Sequence, residues 1–145
     1  MNQIVEMVER ARAAQQPDLL CGAIPFAQFL GLEMSVDADG GLLAHMPFSE
    51  HLIGNPHVPA LHGGTLGSLL ETVAVMMALW KITPITRPRI INLTTDFLRP
   101  ARREATFASG EFLRVGRRVV TVDLRAWQGE QRLVASGRAH LMVKR

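Results

Sequence analysis

The chain has no tyrosine, one cysteine and only 6% aromatic residues. With Cys21 alone no disulfide can close within the chain, so a reducing, cytoplasmic setting is expected. Cys21 reads as a small filler residue, since no histidine partner can be assigned to make it a nucleophile. Few aromatics leave few platforms on which bases could stack, which argues against single-stranded nucleic acid as a partner. The longest unbroken apolar run, Val73 to Trp80, falls well short of the ~20 residues a membrane span requires. The N-terminal segment sets Glu6 and Glu9 inside its apolar pattern and lacks a basic start, unlike a signal peptide. No GxSxG elbow and no GxxxxGK[ST] phosphate loop occur. His45, His51, His57 and His62 are not spaced as HxH or HxxxH and no cysteine set accompanies them, so neither a metal nor a cofactor is expected.

What is present is a chain of 145 residues, 48% hydrophobic, which suits one domain spanning 1–145 with a core of its own. Charge is unevenly spread. Residues 1–86 hold three basic and eight acidic side chains, whereas 87–118 hold eight arginines against Asp96, Glu104 and Glu111. Such a basic stripe suits a solvated face or a polyanionic ligand.

Ile4, Val5, Val8 and Ala11 recur at helical spacing and predict an amphipathic helix over 2–15, ended by Gln16, Pro17 and Asp18. "IPFAQFLG" predicts a short helical turn, with Pro25 at its start and Gly31 at its stop. "EMSVD" and "GLLAHM", joined by turn residues, predict a hairpin, and Pro47 to Ala60 a loop. After a long apolar helix, Ile91, Leu93, Thr95 and Phe97 alternate with polar residues as a strand. A further strand over 104–114, a turn at "RVGRR", the alternation Val120, Val122, Leu124, Ala126, and the alternation Leu133 to Val143 complete an antiparallel set with one covered face. The fold class is therefore α+β, a sheet wrapped around a helix over 63–81. Sheet edges in so small a fold invite pairing between copies, so a homo-oligomer is expected.

That helix, "LHGGTLGSLLETVAVMMALWK" with its preceding turn, contains one carboxylate, Glu71. A buried, unpaired carboxylate is costly, and desolvation would raise its pKa toward the range of a general base or nucleophile. The "HGG" at the helix start offers unpaired N–H groups and the helix dipole to a developing oxyanion.

"LHGGTLGSLLE", "DFLRPA" (Asp96 to Ala101) and "RVGRR" (Arg114 to Arg118) together resemble the hot-dog-fold acyl-CoA thioesterases with an HGG motif, the group of the phenylacetate-pathway and 4-hydroxybenzoyl-CoA types. The resemblance runs from about Phe26 to Val143. It implies a sheet of five to six strands around the helix and hydrolysis of an acyl-CoA to free acid and CoA, coenzyme A being part of the substrate and not a cofactor. It also implies a dimer or tetramer with sites between subunits. By it, Glu71 takes the place of the catalytic carboxylate and Gly63, directly after His62, that of the oxyanion donor; beside the resemblance, Gly64 reads as a second donor and His62 as a hydrogen-bonding residue that fixes the loop ahead of the helix. Where the family often has Asn or Gln and then Gly before the histidine, this chain has Pro56 and Pro59, and Asn55 is the nearest polar substitute. Ile90 stands where some members carry a hydroxyl. Arg87, Arg89, Arg117 and Arg118 resemble the region that binds pantetheine and nucleotide, which fits the phosphates of CoA.

Two other readings use the same fold. A hydratase of β-hydroxyacyl thioesters would pair His57 with Glu71, fourteen residues on, but leaves HGG without a role. A binding module without chemistry would accommodate Pro56 and Pro59.

Overall fold

A computed structural model describes residues 3–144 of the chain. Its helices are α1 (Gln3–Ala14), α2 (Asp18–Cys21), α3 (Pro25–Phe29) and α4 (Gly63–Lys81). Its strands are β1 (Glu33–Val36), β2 (Leu42–Met46), β3 (Ile53–Asn55), β4 (Val58–Leu61), β5 (Arg89–Phe97), β6 (Thr106–Val115), β7 (Val119–Gln128) and β8 (Arg132–Met142). Six strands form one antiparallel sheet in the order β1-β2-β6-β7-β8-β5, and β3 and β4 form a separate small hairpin. The helix predicted over 2–15 is α1, with Asn2 outside the described residues. The expected loop from Pro47 to Ala60 is not structureless: it holds a single 3-10 turn (Glu50–Leu52) and the β3–β4 hairpin. Proline and glycine at 54, 56 and 59 masked strands only three and four residues long.

The sheet curls around α4, whose Leu66, Leu69, Leu70, Val73, Ala74 and the whole run Met76–Trp80 are buried. By length and composition α4 would suit a membrane, but most of it is covered by this chain's own sheet. Val120, Val122, Leu124 and Ala126 of β7 face it, while Thr121, Asp123 and Arg125 point away, as their alternation requires. At Gly110 of β6 a Cβ would lie 2.5 Å from Met77 Sδ and 2.9 Å from Leu124 Cδ2, so only glycine lets the sheet close on the helix there.

Besides β6, whose pairing with β7 shifts between Phe112 and Arg114 and leaves Leu113 exposed, two strands of the large sheet depart from strict alternation. A register shift in β5 between Ile90 and Asn92 makes Ile91 a bulge, leaving it 51% exposed and turning Ile90 inward instead. A second shift, at Ala126 and Trp127 against β8, buries Val134 where the pattern had assigned Leu133. Cys21 is buried, and that burial together with Asp18 pushes its thiol up to about 12, as befits an inert filler.

Arg12 ties α1 to the end of α4. Its Nε and Nη2 donate to Leu79 O at 3.1 and 2.6 Å, and Nη2 also donates to Ile82 O at 2.8 Å. These carbonyls lie at the negative end of α4, where a cation and its donors are most useful. Arg12→Met keeps the aliphatic stem and removes the donors, so it is expected to cost about 1–3 kcal/mol. Thermal unfolding should register this as a Tm lowered by several degrees.

Candidate active site

α4 starts where it does because His62 caps it. His62 has extended backbone (φ −59°, ψ 134°), and its Nδ1 accepts the Gly64 N–H at 2.8 Å. The Thr65 N–H goes to His62 O at 2.9 Å. Of the first-turn donors this leaves the Gly63 N–H, for which no partner is found among the described residues. The structure thus separates the two glycines: Gly63 has a donor to offer, and Gly64 has spent its own on the cap.

The cap is held from both sides. The His62 N–H donates to Leu52 O at 2.9 Å, and the Leu61 N–H donates to Ala101 O at 2.9 Å. Gly54 lies against His62 so closely that a Cβ there would be 2.9 Å from His62 Cα. Gly63 sits beneath the Phe97 ring, with a Cβ position 3.3 Å from Phe97 Cε1, although Phe97 is 58% exposed. Phe97 was legible only as an inward residue of its strand. That it roofs the helix start follows from β5 ending beside it.

Glu71 is not buried in this chain. The helix is covered on most sides, but a flank through Gly64, Ser68, Glu71 and Val75 is left open, and Glu71 is exposed on it. Its carboxylate has no ion pair or hydrogen bond among the described residues. The lone acid in an apolar helix is explained by this gap: residues three and four apart share one helical face, and this face meets no strand. Desolvation of Glu71 therefore does not come from this chain's own packing, contrary to the expectation from sequence. A Cβ at Gly67, on the same flank, would meet nothing within 4 Å.

Glu71 lies eight residues from Gly63, so the two are ~12 Å apart along the axis of α4. That is much more than the ~3 Å at which one reacting carbonyl must meet both donor and base.

Asn55 ends β3 and its Oδ1 accepts the His57 N–H at 2.9 Å, a turn-forming contact ahead of Pro56. His57 is exposed at that turn, and no contact among the described residues joins it to Glu71. The arginines assigned to CoA, Arg87, Arg89, Arg117 and Arg118, gather at the opposite end of the sheet from Phe97, whereas Arg99, Arg102 and Arg103 follow β5 at the Phe97 end. Arg114, Arg117 and Arg118, with Thr121 and His140, line an open cleft of about 650 Å³ around the β6–β7 turn. Arg89 is in the same corner, opposite Met142, with its Nη2 3.7 Å from Met142 Sδ. Arg87, also exposed, precedes it. Eight steps of β5 separate Arg89 from Phe97, ~26 Å. Within one chain, then, the basic corner does not reach the helix start.

A long central helix enclosed by an antiparallel sheet, with an HGG start and a carboxylate on its uncovered flank, is the architecture of a hot-dog thioester enzyme. The chain belongs to the thioesterase superfamily, whose family model matches residues 59–135, just over half of its length. It is 27% identical over 135 residues to the medium/long-chain acyl-CoA thioesterase YigI of Escherichia coli (strain K12), covering 83% of this chain and 86% of that one. Among solved structures, a protein from Chromobacterium violaceum superposes with a TM-score of 0.76 at 30% identity over 99% of this chain and 98% of that one. A putative thioesterase from Ralstonia eutropha JMP134, described as phenylacetic acid degradation-related, gives a TM-score of 0.76 at 27% identity, covering 94% and 99%.

Proposed function

We propose that this chain hydrolyses acyl-CoA thioesters to the free acid and CoA at sites formed between two copies, with Glu71 of one copy acting opposite the Gly63 N–H of the other. The observation that carries this is the ~12 Å between Gly63 and Glu71 on a single helix, together with a Glu71 flank that none of the described residues covers. A second copy supplies both the missing partner and the missing desolvation.

The chemistry follows from the two groups. The Gly63 N–H, at the positive end of α4, polarises the thioester carbonyl and holds the oxyanion. Glu71 either takes a proton from water as water attacks the carbonyl, the tetrahedral intermediate then breaking its C–S bond and the proton on Glu71 passing to the departing CoA sulfur, or attacks the carbonyl directly. In the second case CoA leaves as the thiolate and the resulting anhydride is cleaved by water, regenerating the carboxylate. His62 holds the cap through the Gly64 N–H that its Nδ1 accepts.

β5 is the strand suited to the pairing. It is a nine-residue edge of the sheet, and Ile91 and Phe97 stand exposed on it. Antiparallel pairing of β5 with itself about Leu93 matches like faces throughout: on the inner face Leu93 meets its own copy and Ile90 faces Thr95, on the outer face Asn92 faces Thr94 and Arg89 faces Asp96, and the two Ile91 bulges are accommodated. That register also carries the Arg89 end of one copy to the Phe97 end of the other, closing the gap between the basic corner and the helix start. Arg87, Arg89, Arg117 and Arg118 are then the side chains for the CoA phosphates. Asp96→Arg is expected to weaken the dimer and Asp96→Arg with Arg89→Asp to restore it, as read by sedimentation. Equal dissociation constants for all three proteins would remove this register.

The assembly is a homodimer, or a homotetramer of two such dimers, of single-domain chains working in a reducing cytoplasm, as the free and buried Cys21 suits. By similarity to the E. coli enzyme the acyl group is medium to long, and the likeness to the R. eutropha protein supports a place in the phenylacetate-pathway subgroup. No metal or cofactor enters the reaction. Thiol release from short, medium, long and aryl acyl-CoAs tests the reading. Turnover that is fastest on medium or long chains is expected. Conversion of crotonyl-CoA to its hydroxy form without thiol release would overturn it in favour of a hydratase. Tight binding without turnover would do so in favour of a binding module.

A further inference from the structure

Gln128, the last residue of β7, is fully buried and has no part in the chemistry above. Its side chain grips the segment that follows β5. Oε1 accepts the Arg102 N–H at 2.8 Å, while Nε2 donates to Arg102 O at 3.0 Å, to Glu104 O at 3.3 Å and to Thr106 Oγ1 at 3.1 Å. Arg132 reinforces the grip, donating to Gln128 Oε1 at 3.2 Å and to Pro100 O at 2.9 Å. The segment so held is the one that holds the helix start: Ala101, next to Arg102, accepts the Leu61 N–H, and Leu61 is followed directly by the capping His62.

We propose that Gln128 is a positioning residue for the oxyanion site. Its amide sets the height of the 100–104 segment, and through the Ala101–Leu61 hydrogen bond the position of His62 and of the Gly63 N–H. A buried amide with both its oxygen and its nitrogen satisfied has one orientation, which is the property a support needs. A neutral packing residue would fill the same volume without fixing the direction of the backbone. Misplacing a donor by about 1 Å lowers the rate of a reaction it serves by up to ~10²-fold. The inference rests on the Gly63 N–H being the oxyanion donor.

The test is steady-state thiol release by Gln128→Met, which keeps the volume and removes the hydrogen bonds. It is measured with a medium-chain acyl-CoA beside wild type and Glu71→Gln, and normalised to folded protein by circular dichroism. The expected result is kcat lowered ~10- to 100-fold with KM within about twofold and an unchanged midpoint of the pH–rate profile. Amide exchange at Leu61 should also be faster. A variant with a lowered Tm but wild-type kcat per folded molecule overturns the proposal, since a support for stability alone would give that result. If Gln128→Met does not fold, Arg132→Met removes the outer half of the same grip from a partly exposed position, and unchanged kcat there overturns the proposal equally. Full activity in Glu71→Gln would instead bring down the catalytic reading, so the two failures are distinguishable.

Discussion

Glu71→Gln should abolish most turnover, lowering kcat for thioester hydrolysis by ~10²–10⁴ while the protein folds and assembles as before. The substitution is nearly isosteric and acts on an exposed side chain with no hydrogen bond or ion pair among the described residues to lose. Little is at stake for stability, so a loss of activity would report on chemistry. Glutamine neither accepts a proton from water nor attacks a thioester usefully, which removes both routes open to the carboxylate. The measurement is free-thiol release across the acyl-CoA panel, with thermal unfolding and sedimentation as controls. Unchanged turnover in a correctly assembled variant would show that the exposed acid is not part of the site.

Gly63→Pro is the second large effect, and it removes a backbone donor, which side-chain substitutions cannot normally do. Gly63 is the first residue of α4, where proline is well tolerated because that N–H has no helical partner. His62 before it already has the extended backbone that a residue preceding proline requires. The atoms nearest to an added Cβ are those of the Phe97 ring, at 3.3 Å and beyond, and that ring is 58% exposed. Helix and fold should therefore survive, while kcat falls by ~10²–10³, the usual cost of one oxyanion donor. Wild-type kcat in this variant would transfer the role to another group.

The two variants together test the shared site. If each site takes Glu71 from one copy and Gly63 from the other, a mixed dimer of Glu71→Gln and Gly63→Pro chains has one site with both lesions and one with neither. Co-refolding equal amounts should recover about a quarter of wild-type activity, as random pairing of two-fold dimers requires. Sites contained within one chain would recover nothing.

Much of this was legible in the residues. The helix over 63–81 announced itself by a long apolar run that follows "HGG". The strands β7 and β8 did so by alternation, and the β6–β7 turn by its glycine. What local pattern could not show were the departures from it. The bulge at Ile91 changes the face of one residue through a pairing with β8, which is an interaction between segments some fifty positions apart. The short hairpin β3–β4 was hidden by its prolines, because its pairing is stabilised by packing against His62 and not by strand propensity. Phe97 stood inside "DFLRPA" with no role of its own, and Gln128 carried no motif at all. Each matters because of what the fold sets beside it: the helix start in one case, the 100–104 backbone in the other.

The sequence by itself determined the class of fold, the place where the central helix begins and the presence of one carboxylate in it, since these depend on periodicity, capping and composition read over a few turns. Tertiary structure alone decided that Glu71 lies on an uncovered flank, that Gly64 is consumed by the cap while Gly63 is not, and that Arg87, Arg89, Arg117 and Arg118 stand at the far end of the sheet. Exposure and hydrogen-bond occupancy are properties of what surrounds a residue, and here the surroundings come from strands distant in the chain.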